Sequence, residues 1–227
     1  MKVFIVVAAF LVTAYAGTND VCYKNVLRAC ETTSKNVNGL INCNARYGAI
    51  EAVLPDLQTY VNTHITRSFE YLLMATHYGN YEKSREGFEK IFKDLSDSKW
   101  EEAIDLIKYI TKRGGKMNFA AVREDTVNDN NGSYELYELE SLAKALDMEK
   151  QLAEEAHRIH GEATRRRKDY HDPEVSSYLE EEFVHKHANI IRKLSGYTSD
   201  LNTLLNGPDS SLALYLFDDY LKQHSIV

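Results

Sequence analysis

Four long stretches of the sequence repeat apolar residues at steps of three and four. Side chains with this spacing fall on one face of an α-helix, so each stretch predicts an amphipathic helix. The long stretches cover residues 55–77, 81–112, 134–167 and 173–205, and a shorter one covers 210–223. The pattern therefore predicts an all-α protein with four long helices and a short fifth helix.

The breaks between these stretches predict how the helices connect. Pro55, Pro173 and Pro208 each lie near the start of a helical pattern or just before one, where proline is tolerated. Residues 114–133 show no periodicity and form a connection long enough to run the length of a helix bundle. A four-helix bundle with one long crossover is the architecture that fits this order.

The N-terminal region differs from the rest of the chain. Residues 1–16 combine Lys2, a short apolar run and an Ala-Tyr-Ala ending, which is typical of a secretory signal peptide cleaved after Ala16. The apolar run is short for a membrane span, which needs roughly 20 residues. Residues 17–54 hold the cysteines and predict an N-terminal extension, and residues 55–227 form the bundle with its short C-terminal helix.

Three cysteines and one sequon follow the signal peptide. Secretion, or retention in the lumen of the secretory pathway, would oxidise one pair among Cys22, Cys30 and Cys43. The remaining cysteine would bond to another chain or stay as a buried thiol, and both alternatives are open. Asn131 begins an Asn-Gly-Ser sequon and is a candidate glycosylation site.

The formal net charge of −7 indicates which kinds of partner the chain can attract. An acidic chain is a poor ligand for nucleic acid, whereas it attracts cations. No later segment reads as long and apolar enough to cross a bilayer, so we expect neither a nucleic-acid partner nor a membrane partner.

Polar residues interrupt the apolar face of each long helix near its middle. They are His64 and Tyr71 on the first helix, Lys99 and Glu102 on the second, Glu149 on the third and His187 on the fourth. One such residue on one helix commonly reaches solvent. Their recurrence on four helices predicts a buried cluster, which must hold a metal or pair its own charges. Inward carboxylates from four helices are how di-iron bundle proteins bind metal.

Lys99 favours the paired cluster over the metal pair. A protonated amine has no lone pair and cannot ligate a metal, and it adds positive charge to the site. Lys99 can pair with Glu102, three residues along the same helix, and with Glu149 across the bundle. We therefore predict that ion pairs fill the middle of the bundle in place of a working metal pair.

A second set of carboxylates lies on another face of the second helix. Asp94, Asp97 and Glu101 form one stripe by their spacing, and Asp105 continues it. Such a stripe is usually a solvated face. If it lines an enclosed cavity, its oxygens suit hard or borderline cations.

Five segments in order along the chain resemble the ferritin family. They are FEYLLMATHYG at 69–79, KRGGKM at 112–117, LDMEKQL at 146–152, HDPEV at 171–175 and SSLALYLFDDYL at 210–221. With the signal peptide, the cysteine-bearing extension and the sequon, the chain resembles a secreted insect-type ferritin. The resemblance implies a ferritin-like fold and a hollow 24-subunit shell that stores a ferric oxide mineral. It also implies two subunit types, one of which oxidises iron.

The resemblance gives the polar cluster a counterpart in the family's ferroxidase centre. The corresponding positions are His64, Tyr71, Ser98, Lys99, Glu102, Glu149 and His187. Only Tyr71 and Glu149 match the family's residues, and Lys99 stands where the family has a glutamate ligand. The resemblance thus implies a light-chain-like subunit that is not an enzyme and that assembles with a heavy-chain-like ferroxidase subunit. Two alternatives stay open: a ferroxidase with a non-standard di-iron site, and a secreted binding protein that shares only the bundle.

The resemblance also assigns roles to surface residues. Asp94, Asp97 and Glu101 match positions where light subunits nucleate iron mineral, although Lys90 and Lys93 weaken this stripe. The threefold pore of the family corresponds to His160, Ser177 and Glu180, where Ser177 replaces an aspartate and puts the passage of iron beside this subunit in question. The last helix would line the fourfold axis with Leu212, Leu216 and Tyr220.

Overall fold

The computed structural model describes residues 22–31, 43–120, 137–165 and 171–227. The chain divides into two compact units, Met1–Ala45 and Arg46–Val227. In the first unit, helix α1 spans Cys22–Glu31 and a disulfide joins Cys22 to Cys43. The signal peptide, the side chain of Cys30 and the sequon at Asn131 lie outside what the structure describes.

The second unit consists of helices and short turns wherever it is described. Its helices are α2 (Ile50–Tyr78), α3 (Glu86–Lys112), α4 (Glu138–Ala163), α5 (Pro173–Leu179), a π-helical segment (Glu180–Val184), α6 (His185–Leu205) and α7 (Ser210–Gln223). Helix α5, the π-helical segment and α6 follow one another without a break and together form the predicted fourth long helix. The predicted all-α fold with four long helices and a short fifth is therefore confirmed. In the described ranges, no helix is long and apolar enough to cross a membrane.

Three helices begin at different residues from those predicted. Helix α4 starts at Glu138 instead of residue 134, after Tyr137, whose backbone is extended. Helix α2 starts at Ile50, ahead of Pro55, because Ala49, Ile50 and Val53 are buried and extend the helix by more than a turn. This burial offsets the hydrogen bond that Pro55 cannot donate. Helix α3 starts at Glu86 instead of residue 81, since the side chain of Asn80 accepts the backbone N–H groups of the next turn.

The core contains two apolar clusters. One joins the C-terminal half of α2 to the N-terminal halves of α3 and α4, to α6 and to α7, and includes Phe88, Phe92 and Phe217. The other joins the opposite halves of α2, α3 and α4 to α5, and includes Leu57 and Leu152. On each long helix the predicted polar residues fall between the two clusters, except Tyr71, which belongs to the first cluster and lies at its edge. The bundle therefore carries a polar layer at mid-length.

Candidate functional site

The polar residues of the four long helices meet in the middle of the bundle. We call His64, Tyr71, Lys99, Glu102, Glu149 and His187 the mid-bundle cluster. All six are buried, and none exposes more than 6% of its surface. The polar residues that interrupt the four apolar faces thus form a single internal site in the fold, and its charges must be balanced within it.

Lys99 lies between the two carboxylates of the cluster. Its Nζ is 2.8 Å from Glu102 Oε2 and 3.2 Å from Glu149 Oε2. Burial by itself would lower the pKa of the Lys99 ammonium, but Glu149 and Glu102 outweigh burial and hold that pKa above its usual value. The amine is therefore protonated at neutral pH. These are the two carboxylates with which the sequence analysis pairs Lys99.

Glu149 is engaged by donors from three other helices. Tyr71 donates its hydroxyl to Oε1 at 2.9 Å, and His187 Nδ1 and Lys99 Nζ both contact Oε2. Burial would raise the pKa of the Glu149 carboxyl, but Lys99 and His187 together lower it below the usual range. Glu149 is consequently ionised, and both of its oxygens already have protein partners.

Glu102 is held in a similar way from its own helix. Lys99 binds Oε2, and the Ser98 hydroxyl donates to Oε1 at 3.0 Å. Burial opposes ionisation of Glu102, yet His64 and Lys99 hold the pKa of its carboxyl far below the usual range. Ser98 therefore belongs to the site by contact, although its side chain is only half-buried.

The two histidines present one nitrogen each toward the interior of the cluster. His64 Nδ1 lies 2.9 Å from the Tyr60 carbonyl oxygen, and His187 Nδ1 lies 2.9 Å from Glu149 Oε2. A carbonyl and a carboxylate can only accept, so both Nδ1 atoms donate a hydrogen. Burial, the largest influence, lowers the pKa of the His187 imidazole below its usual value. A neutral His187 then keeps its lone pair on Nε2.

Tyr60 is a site residue that the sequence analysis missed. Its hydroxyl lies 3.0 Å from His187 Nε2 and 3.3 Å from the Leu152 carbonyl oxygen. Its ring packs edge-on against His64, with 4.3 Å between the ring centroids. Tyr60 looks like an ordinary core aromatic in the sequence. Its position one helical turn before His64 is the signal that places it beside the cluster.

A subset of the cluster has the arrangement of metal ligands. Among the described residues, His64, Glu102 and His187 each offer one donor atom, and these three atoms lie within 4.8 Å of one another. Glu149 is absent from this group. The cluster can therefore act as a network of ion pairs, and it also contains a compact set of two nitrogens and one oxygen.

The carboxylate stripe on α3 is only partly available. Asp97 and Glu101 are exposed, whereas Asp94 is half-buried. Lys93 Nζ contacts both carboxylate oxygens of Asp97, at 2.7 and 2.8 Å. Lys90 instead donates to the Lys222 carbonyl oxygen at 2.8 Å. Of the two lysines expected to weaken the stripe, Lys93 therefore pairs within it and Lys90 binds the C-terminal region.

The three residues assigned to the threefold pore lie on α4, on α5 and on the π-helical segment. His160 is half-buried near the end of α4, while Ser177 and Glu180 are exposed. Ser177 donates its hydroxyl to Glu181 Oε1 at 3.3 Å, and Glu180 begins the π-helical segment. The Ser177 hydroxyl thus hydrogen-bonds to a carboxylate one helical turn further along the chain.

A second buried charged group lies at one end of the bundle, and we call Arg113, Asp172, Glu174 and Tyr47 the Arg113 network. Arg113 Nη2 is 2.7 Å from Asp172 Oδ2 and 3.0 Å from the Tyr47 carbonyl oxygen, and Nη1 contacts Glu174. Asp172 also accepts the backbone N–H groups of Ala49 and Val175. The network therefore fastens the start of α2, the end of α3 and the start of α5. In the sequence, Arg113 suggests only a helix C-terminal charge.

Comparisons with known proteins agree with the observed fold. Residues 56–204 match the ferritin-like domain family. A ferritin light chain of Trichoplusia ni is 49% identical over 90% of both chains, and one of Drosophila melanogaster is 42% identical over 98% of this chain and 100% of that one. The crystal structure of Trichoplusia ni secreted ferritin superposes with a TM-score of 0.84 at 47% identity. It covers 90% of this chain and 99% of that chain.

Proposed function

The chain belongs to the ferritin family of iron-storage proteins, and we propose that it is a light-chain-like subunit without a working ferroxidase centre. The observation that carries the proposal is the buried Lys99 ammonium, which contacts both Glu102 and Glu149. In this proposal the subunit builds the wall of the storage cage and supports mineral growth, and it does not itself oxidise iron.

The charge of Lys99 works against a pair of iron ions. Two unit charges about 4 Å apart interact by about 4 kcal/mol at an effective dielectric constant of about 20, and a divalent ion doubles that repulsion. A di-iron centre also needs carboxylate oxygens to share between its metals. The oxygens of Glu149 are bound by Tyr71, His187 and Lys99, so a metal pair would have to displace these donors.

Assembly and location form the second part of the proposal. Exposed apolar side chains lie on α2, α3 and α7, including Phe69, Trp100, Leu212, Leu216 and Tyr220. Exposed apolar patches commonly mark protein interfaces. They support assembly into a 24-subunit cage with a heavy-chain-like ferroxidase subunit, with α7 at the fourfold axis. Cys30 is the candidate for an interchain disulfide, since Cys22 and Cys43 bind each other.

One matched relative supports secretion of the chain. One matched structure is a secreted ferritin, and the proposed signal peptide agrees with this. The cargo is ferric iron, stored as an oxide mineral. We propose that Asp94, Asp97 and Glu101 nucleate the mineral and that His160, Ser177 and Glu180 border the threefold pore.

Stopped-flow measurement of Fe²⁺ oxidation tests the main proposal. A cage made from this chain alone should show no rapid oxidation phase, whereas adding a ferroxidase subunit should introduce one. Lys99→Glu should raise the affinity of the mid-bundle site for metal, because it removes the ammonium and adds a ligand. Lys108→Glu, at an exposed lysine of the same helix, is the matched control and should leave that affinity unchanged.

A rapid oxidation phase in the unmodified homopolymer would contradict the proposal. It would favour the second candidate, a ferroxidase with a non-standard di-iron site. The closeness of the donor atoms of His64, Glu102 and His187 is the observation that keeps this candidate in view.

A further inference from the structure

We propose that His64, Glu102 and His187 form a binding site for a single divalent transition-metal ion of the Zn²⁺ class. The three side chains come from three different helices and are all buried, and their donor atoms lie within 4.8 Å of one another. Two imidazole nitrogens and one carboxylate oxygen are a ligand set that proteins use for zinc, with a fourth position left open. This inference does not rest on the proposed function, because zinc binding requires no iron oxidation.

The two imidazoles are oriented as histidine ligands are in metal sites. In metal sites, a histidine ligand usually donates its other ring N–H to a carbonyl or carboxylate, which fixes the ring and its tautomer. His64 Nδ1 donates to the Tyr60 carbonyl, and His187 Nδ1 donates to Glu149, each over 2.9 Å. Both rings are therefore fixed with Nε2, the nitrogen opposite the donating one, as the atom that a cation would bind.

His64 Nε2 is a buried polar atom whose surroundings favour a bound cation. This atom is buried and has no hydrogen-bond partner in the described parts of the chain, although Glu102 Oε2 is 3.3 Å away. A buried nitrogen without a partner costs stability, so such an atom requires an explanation. A bound cation between His64 Nε2 and Glu102 Oε2 would give His64 Nε2 a partner and would take the place of Lys99 at Glu102 Oε2.

Glu102 and His187, the other two ligands, can each direct one atom at the cation. Glu102 keeps one oxygen on Ser98, which orients the carboxylate, and its other oxygen faces His64. His187 Nε2 currently lies 3.0 Å from the Tyr60 hydroxyl. That hydroxyl has an alternative acceptor in the Leu152 carbonyl at 3.3 Å, so His187 can release it without leaving the hydroxyl unpaired.

The site binds one ion and not two, because both oxygens of the second carboxylate, Glu149, already have protein partners. The donors to these two oxygens are Tyr71, His187 and Lys99. Through its bond to Nδ1, Glu149 orients the His187 ring and does not itself bind the metal. A ligand set of two nitrogens and one oxygen also differs from the carboxylate-rich set that holds iron pairs in bundle proteins. The inferred site is thus mononuclear and depends on the two histidines.

Lys99 competes with the metal for Glu102. Its Nζ is 2.8 Å from Glu102 Oε2, the same oxygen that faces His64. A bound cation requires the ammonium to release Glu102, while Lys99 can keep its contact with Glu149 at 3.2 Å. Neutralising Lys99 should therefore strengthen zinc binding by about tenfold or more, since the ammonium and the metal cation repel each other at this short distance.

Zinc binding to the purified, iron-free protein in its assembled form tests the inference. Crystals soaked in Zn²⁺ should show one anomalous peak about 2.0–2.2 Å from His64 Nε2, His187 Nε2 and a Glu102 oxygen. His187→Ala should remove the peak, and the exposed neighbour His185→Gln should keep it. Competition with a chromophoric chelator should show tighter zinc binding by Lys99→Met, and His187→Ala in that background should abolish the gain.

Three results would overturn the inference. They are the absence of a peak at the cluster in both the unmodified protein and Lys99→Met, a peak that survives His187→Ala, and a pair of ions bridged by Glu149. The Lys99→Met arm keeps the test decisive if His187→Ala folds poorly, because it requires a gain in affinity. Rapid iron oxidation would refute the proposed function, but it would not decide whether zinc binds, because the two measurements are independent.

Discussion

The Arg113 network and the mid-bundle cluster both pair buried charges, but they do so with different geometry. In the Arg113 network a planar guanidinium binds two carboxylates and a carbonyl, and it ties three chain segments together. In the mid-bundle cluster a lysine contacts two carboxylates as a point charge, and His64 Nε2 has no hydrogen-bond partner among the described residues. The first arrangement suits a fixed structural joint. The second leaves donor atoms that a cation can use.

Removal of Arg113 should give the largest loss of stability. Arg113→Met leaves Asp172 buried without its cation, which costs about 3–5 kcal/mol. Chemical denaturation of the variant and of the unmodified protein would measure the difference. Arg192→Met, at an exposed arginine, should change the free energy of unfolding by no more than about 0.5 kcal/mol. An equally small effect at Arg113 would show that the network is not a joint.

Acidification should lower the stability that both groups contribute, by less than the removal of Arg113 does. The pKa values of the Glu102, Glu149 and Asp172 carboxyls are all lowered in the folded chain. The unfolded state therefore binds more protons at low pH, so the stability these groups contribute is complete above their unfolded pKa and is lost as pH falls through the folded values. Measuring the free energy of unfolding from pH 7 to pH 3 would test this.

Lys99→Met separates the two groups in that experiment. Without the ammonium, the pKa values of Glu102 and Glu149 should rise toward their usual range, so the variant should lose less stability on acidification than the unmodified protein. Asp172 keeps Arg113 in this variant and should retain its own share of the acid dependence. Identical pH profiles for the two proteins would contradict the role given to Lys99.

The exposed pair on the α3 stripe should give the smallest effect on stability. Lys93 and Asp97 expose 53% and 60% of their side chains, and such surface pairs contribute about 0–1 kcal/mol. Lys93→Met should therefore leave stability nearly unchanged but free Asp97 for iron, which should modestly speed mineral growth in iron-loading assays. Lys186→Met breaks a similar exposed pair away from the stripe and is the control. Equal rates in the two variants would argue against nucleation at this stripe.

The sequence could predict the members of the mid-bundle cluster because helical periodicity is local. Steps of three and four place His64, Lys99 and Glu149 on the buried faces of their helices, and all three are buried in the fold. Periodicity gives no distance between helices, so it could not identify Tyr60, whose hydroxyl reaches a histidine far along the chain. It likewise could not pair Arg113 with Asp172.

The sequence by itself determined the class of fold, the four long helices with a short fifth, and the polar layer at their middle. These follow from the spacing of apolar residues within single helices, where each residue's face is set by its neighbours. Tertiary structure alone decided that Cys22 bonds to Cys43, that Asp172 fastens three segments, and which nitrogen of each histidine faces the cluster. Those outcomes depend on distances between residues remote in sequence, because hydrogen bonds and ion pairs form only within a few ångströms.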